Sequence, residues 1–155
     1  MENIIVAIDF FQITPAIMTQ AETLAQAFNS KLWLIHIAEP EPDFIGFKTG
    51  PQPKREHWAE EFRKEHQQIQ DLAEELRQKG LDAVGLLLQG STVETILAEA
   101  KKLAADLIIV GSHGRSEIEK FFVGSVSEGI LKTAYCPVLV IPVSSRSLEN
   151  CISQK

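Results

Sequence analysis

The chain has 155 residues, 45 % of them hydrophobic, and a formal net charge of −6. That length suits one globular domain burying roughly two-thirds of its unfolded surface without a metal or disulfide, and the apolar share excludes a disordered chain. Acidity without a Lys/Arg stripe argues against nucleic acid and anionic membranes as partners, because both attract clustered positive charge.

The run Asn3-Ile-Ile-Val-Ala-Ile8 ends at Asp9. Apolar on both faces, it predicts a strand buried between two helical layers. Thr14-Pro15 predicts a helix start, with threonine as N-cap and proline at the first helical position. Ile17, Ala21, Leu24, Ala25 and Phe28 follow on one face, and Asn29-Ser30 ends the helix. KLWLIHI, residues 31–37, is a second predicted strand. Residues 39–55 hold Pro40, Pro42, Pro51 and Pro53 with Gly46 and Gly50, a density that predicts a long irregular loop.

Helical spacing returns over residues 56–79, where Trp58, Phe62, Ile69, Leu72, Ala73 and Leu76 share a face and Gly80 is the stop. Residues 83–88 form a third predicted strand. Ser91 and Glu94 have the spacing of a capping box and open a helix with Val93, Ile96, Leu97, Ala100 and Leu103 inward. Residues 106–110 are a fourth strand running into Gly111, 125–134 a last helix and 137–142 a last strand. The domain is expected to span 1–143, with 144–155 a polar tail.

The order βαβαβαβαβ predicts a single doubly wound α/β domain on a five-stranded parallel sheet, Rossmann-like, with helices on both faces. Ligands of such sheets bind outside the carboxyl ends of the strands, where strand order reverses. The ends to inspect are Asp9, Ile37-Ala38, Gln89-Gly90 and Gly111.

The fourth strand is followed by Gly111-Ser-His-Gly114, nine further residues, then Gly124-Ser125 at a predicted helix start. Glycine lets a ligand approach the backbone closely, and helix-start amides with the helix dipole attract an anion. Ser112, Ser125 and Ser127 offer further donors. This spacing, G-x2-G-x9-G-[ST], resembles the nucleotide-binding signature of the universal stress protein family, in its ATP-binding subgroup. The resemblance covers nearly the whole chain: IIVAID, LIHI, DLIIVGSHGRS and VGSVSEGILKTAYCPVLVIP, in that order.

The resemblance implies an adenine nucleotide alpha hydrolase-like fold and a bound adenine nucleotide, ATP or AMP, with Mg2+ accompanying ATP. It places Ala7 and Asp9 beside the ribose and adenine, and the backbone at Ile37 on the adenine edge. Val110, Gly111, His113, Gly114 and Arg115 would line the ribose and phosphates, and Gly124, Ser125, Val126 and Ser127 the phosphate tail. It further implies a cytoplasmic stress-response or signalling module that forms a homodimer through the final strand. The chain departs from the family at Phe10-Phe11, where a small or hydroxyl residue is common; two bulky rings bear on AMP against ATP as ligand.

Three other readings stand beside this one. A slow ATPase or nucleotide-dependent enzyme is opposed by the lack of a GxxxxGK[ST] loop and of a carboxylate pair for Mg2+. A flavodoxin-like FMN protein would need a hydroxyl-rich loop where Phe10-Phe11-Gln12-Ile13 stands. A nucleotide-free dimer would act through protein contacts alone. His113 lacks a placed partner for general-base work, and Arg115 and Lys120 are either phosphate screens or solvated charges. His36 is expected to be a satisfied core histidine; His57 and His66 are not arranged as metal ligands. Cys136 is expected to be a small buried hydrophobe, and it and Cys151 lack zinc or CxxC spacing. The first residues lack the basic, apolar, small-residue order expected of a signal peptide, and no apolar run nears the roughly 20 residues of a membrane helix.

Overall fold

The computed structural model describes residues 1–10, 14–38, 52–112 and 124–142. Among them strands and helices alternate: β1 (Asn3–Ala7), α1 (Thr14–Phe28), β2 (Lys31–Ala38), α2 (Gln52–Gln78), β3 (Ala83–Gln89), α3 (Thr92–Lys102), β4 (Leu107–Gly111), α4 (Ser125–Thr133) and β5 (Val138–Ile141). The strands pair in parallel in the order β3-β2-β1-β4-β5. The chain winds outward through β2 and β3, then crosses back to β4 and β5. The reversal therefore lies between β1 and β4, next to Asp9 and Gly111.

Strand periodicity explains how one apolar run serves two cores, because successive side chains leave the sheet on opposite faces. Ile4, Val6 and Ile8 pack with Ile17 and Ala21 of α1 and Ile69 and Ala73 of α2. Ile5 and Val110 face the other way, toward Ile96 and Ala100 of α3 and Ile130 of α4. Ile4, Ile5 and Val6 are fully buried, as a strand covered on both sides must be. On the first face α2 lies very close to β3. A Cβ on Gly85 would sit 2.6 Å from the carbonyl oxygen of Ile69, and Gln70 Nε2 donates to Gly85 O at 2.9 Å.

Several sequence expectations need correction. The irregular stretch expected over 39–55 gives way to helix at Gln52. Pro53 falls in the first turn of α2, where a missing N–H breaks no helical bond. Residues 39–51 lie outside the described residues, as do 11–13, 113–123 and the tail from 143 on. Thr14 is itself helical, and its Oγ1 is buried with no hydrogen-bond partner among the described residues, so it does not cap α1. Ser91 occupies the N-cap of α3 without a side-chain cap bond, so the capping box does not form. Phe28 and Phe62 stand on the apolar stripes yet are 53 % and 37 % exposed. Helical spacing identifies a face, but the extent of the sheet beneath it decides which residues are covered.

At the amino edge, Asp106 joins two strands. Its Oδ2 accepts the backbone N–H groups of Asn3, at 3.1 Å, and Glu2, at 2.5 Å. These bonds, Asn3's first, hold its carboxyl below the usual aspartate range. A depressed folded-state value means that the contribution is full above the unfolded value and is lost as pH falls through the folded one. Asp106→Ala should therefore lower the thermal midpoint at neutral pH. The gap to wild type should shrink below about pH 3.9 and close once the folded carboxyl is protonated. A gap that persists unchanged in strong acid would contradict this role.

Candidate functional site

The carboxyl end of β4 and the start of α4 are tied together by the chain's own polar groups. Gly111 ends β4 in register with Ile141, and Ser112 N–H donates to Ile141 O at 2.8 Å. Where the described chain resumes, Gly124 N–H donates to Ser112 O at 2.5 Å. One turn on, the hydroxyl of Ser127 donates to Gly111 O. These last two bonds hold the first turn of α4 against the strand end.

The amides of Ser125, Val126 and Ser127 have no helical carbonyl one turn earlier to bond. With the helix dipole they make an anion-binding end. Gly124 has φ −58° and ψ 153°, a conformation open to any residue. Gly111 is ordinary strand, and among the described glycines those with positive φ are Gly80 and Gly90. What Gly111 and Gly124 contribute is the absence of a side chain beside the strand end.

β1 lies between this corner and β2. Val6 is in register with Ile109 and Ala7 with Ile35, so Asp9, just past the strand, is level with Ile37 on one side and Ser112 on the other. From β2 across β1 to β4 is two strand spacings, about 10 Å. Ala7, Asp9 and Ile37 are half-buried, and Ser125 is exposed. Val110 is buried with its side chain in the α3–α4 core, so it offers the crevice only backbone. Val126 also packs toward that core.

Ser127 is buried and commits its hydroxyl to Gly111 O. It offers a ligand its amide and not the side-chain donor expected. His113, Gly114, Arg115 and Lys120 lie outside the described residues. Ala7, Asp9, Ile37, Val110, Gly111, Gly124, Ser125, Val126 and Ser127 all fall along the β2-β1-β4 end of the sheet.

Phe10 has φ 60°, the left-handed region that bulky residues rarely occupy. Its ring is half-buried and lies 4.4 Å from the ring of His36, centroid to centroid. Phe11 lies outside the described residues. His36 is buried, with Nδ1 2.7 Å from Ile8 O. Its Nε2 has no hydrogen-bond partner among the described residues and lies 3.6 Å from Glu65 Oε2. The expected satisfied core histidine is thus satisfied at one nitrogen only. Glu65 escaped the sequence reading, although a signal existed: it shares the helical stripe of Ile69, Leu72 and Leu76, a carboxylate on an apolar face.

His57 and His66 are exposed on α2, His57 beside Glu61. Among the described residues no three acidic, histidine or cysteine side chains cluster as metal ligands. None of the described helices is long and apolar enough to cross a membrane. Cys136 is half-exposed rather than buried, and its partial burial pushes the thiol up, away from a reactive thiolate.

The model of the universal stress protein family matches residues 1–142. A universal stress protein of Thermus aquaticus, encoded beside a sulfhydrylase gene, is 36 % identical over 123 residues, covering 78 % of this chain and 84 % of the relative. The solved structure of UspA from Lactobacillus plantarum superposes with a TM-score of 0.74 at 21 % identity, covering 90 % of this chain and 97 % of that one. A universal stress protein from Archaeoglobus fulgidus, solved in complex with dAMP, gives 0.62 at 19 % identity, covering 91 % and 98 %.

Proposed function

This chain belongs to the universal stress protein family, and from that premise we propose that it binds an adenine nucleotide, ATP or AMP, and acts as a stress-response or signalling module rather than an enzyme. The observation that carries this reading is the pair of bonds, Gly124 N–H to Ser112 O and Ser127 Oγ to Gly111 O, that hold the first turn of α4 at the strand-order reversal. They leave three helix-start amides at the end of β4, the neighbour of the strand that leads to Asp9, where the sheet topology calls for a ligand.

In this reading the adenine lies toward Ile37 and the ribose beside Ala7 and Asp9. The backbone at Val110 and Gly111, with His113, Gly114 and Arg115, follows the ribose and phosphates. The phosphate tail ends on the amides of Ser125, Val126 and Ser127, passing Gly124, whose own N–H is bonded to Ser112 O. The dAMP complex of a relative with the same fold supports an adenine nucleotide as the ligand class. Mg2+ would arrive with ATP on its phosphates, since the described residues cluster no ligand set of their own. The domain in this reading is residues 1–143, with 144–155 as its tail, and the protein works in the cytoplasm.

Mass spectrometry of nucleotide released on denaturation, with calorimetric titration of AMP and ATP, tests the reading. Asp9→Ala should weaken binding about tenfold or more, the worth of a charge-assisted hydrogen bond, without changing the circular dichroism. No released nucleotide and no binding on titration would sink it. Hydrolysis well above background that disappears on changing Asp9 or His113 would overturn the assignment as a binding module.

The edge strand favours a homodimer as part of the same proposal. β5 ends the sheet order, and Leu131 and Tyr135, close to it in the chain, are 47 % and 56 % exposed. An apolar edge is relieved by a partner strand, over a length limited by Pro137 and Pro142. Light scattering of the full chain decides it, a concentration-independent monomer being the contrary result.

A further inference from the structure

His36 and Glu65 present a proton-counting problem. The carbonyl of Ile8 can only accept, so His36 Nδ1 carries the hydrogen in their 2.7 Å contact. In a neutral ring that leaves Nε2 as a bare acceptor. It lies 3.6 Å from Glu65 Oε2, another acceptor when ionised, and Nε2 has no other partner among the described residues. Two acceptors facing each other in a buried site are held apart, whereas a proton on Nε2 turns the same approach into a charge-assisted bond.

The surroundings make this contact consequential. Just past β1, His36 meets the Ile8 carbonyl and the ring of Phe10, and Asp9 is the titratable group between those two residues. β3 contributes the apolar Leu87, in register with His36. α2 contributes Glu65, whose side chain is 26 % exposed, while the α1 residues in the adjoining core are apolar. Phe10 holds its left-handed backbone with its ring on the same imidazole. Asp9 is therefore flanked on both sides by residues in contact with this imidazole.

We propose that His36 and Glu65 form a proton-operated latch, in which protonation at Nε2 pins the Glu65 turn of α2 to the sheet and sets the crevice wall at residues 8–10. Its effect on the ligand rests on the nucleotide reading; the latch itself does not. Imidazole nitrogen NMR on the full chain between about pH 8 and about pH 5.5, the span over which histidines commonly titrate, reads the proton. Amide exchange of α2, corrected for intrinsic rates, reads the helix.

In wild type, the amides around Glu65 should slow about tenfold once the NMR signal shows Nε2 protonated, the effect of one charge-assisted hydrogen bond. In Glu65→Gln the side-chain amide can donate to neutral Nε2, so protection should be high and independent of pH. Wild-type exchange that follows Glu65→Gln at both pH values, or an Nε2 still bare at the acid end, overturns the latch. Calorimetry with AMP separates the two ideas, because the phosphate's own titration cancels between the proteins. A pH dependence of affinity present in wild type and absent in Glu65→Gln extends the latch to the ligand. If AMP binds neither protein, the nucleotide reading fails while the exchange data still decide the latch.

Discussion

Gly124→Val is expected to abolish binding of AMP and ATP while leaving the protein folded. The fold survives because φ −58° and ψ 153° suit valine as well as glycine, and the N–H that bonds Ser112 O is retained. Binding fails because a branched Cβ stands at the mouth of the helix-start amides, where phosphate oxygens must come within hydrogen-bond distance. Losing two charge-assisted bonds of about 1.5–3 kcal/mol each corresponds to a loss of about 100-fold or more. Calorimetric titration beside a thermal melt separates the two effects. Unchanged affinity in a folded variant would mean that the phosphates bind elsewhere.

Gly85→Ala acts on the fold and not on the ligand. The added Cβ would lie 2.6 Å from Ile69 O and 3.0 Å from Ile69 C, both backbone atoms of α2 that no rotamer change can move. The helix must lift from β3, weakening the 2.9 Å bond from Gln70 to Gly85 O and the packing of Ile69 and Ala73. Overpacking of this kind costs about 2–3 kcal/mol, a drop of about 5–10 °C in a domain of this size. Gly129→Ala is the comparison. Its Cβ would approach Val93 Cγ2 at 2.8 Å and Cγ1 at 3.3 Å, side-chain atoms of a residue stiff at χ1, while replacing a mid-helix glycine recovers about 0.5–1 kcal/mol. Its melt should fall by less than that of Gly85→Ala. A Gly85→Ala melt close to wild type would show that α2 does not press on β3.

The element order was legible because each strand here is a short apolar run bounded by a clear break, and each helix but one carries a full stripe. The candidate site was legible for a related reason. Asp9 and Gly111 close their strands in the chain itself, and parallel topology carries strand ends to one edge without further information. The start of α2 was misjudged because proline was counted as a breaker, whereas in a first helical turn it breaks nothing. Ser127 was misjudged because a hydroxyl on a helix start reads the same whether it faces a ligand or a neighbouring carbonyl.

The amino-acid sequence by itself determined the βα alternation, the two-faced strands and the residues that close them, since these depend on local periodicity and on breaks between runs. Only the tertiary structure decided that β1 and β4 are neighbours, that Ser127 ties α4 to Gly111, that Gly85 must lack a side chain beneath Ile69, and that Glu65 confronts His36. Each of those contacts joins residues 15 or more positions apart. The physical reason is that distant residues meet only after the sheet has assembled and its packing has chosen which faces touch.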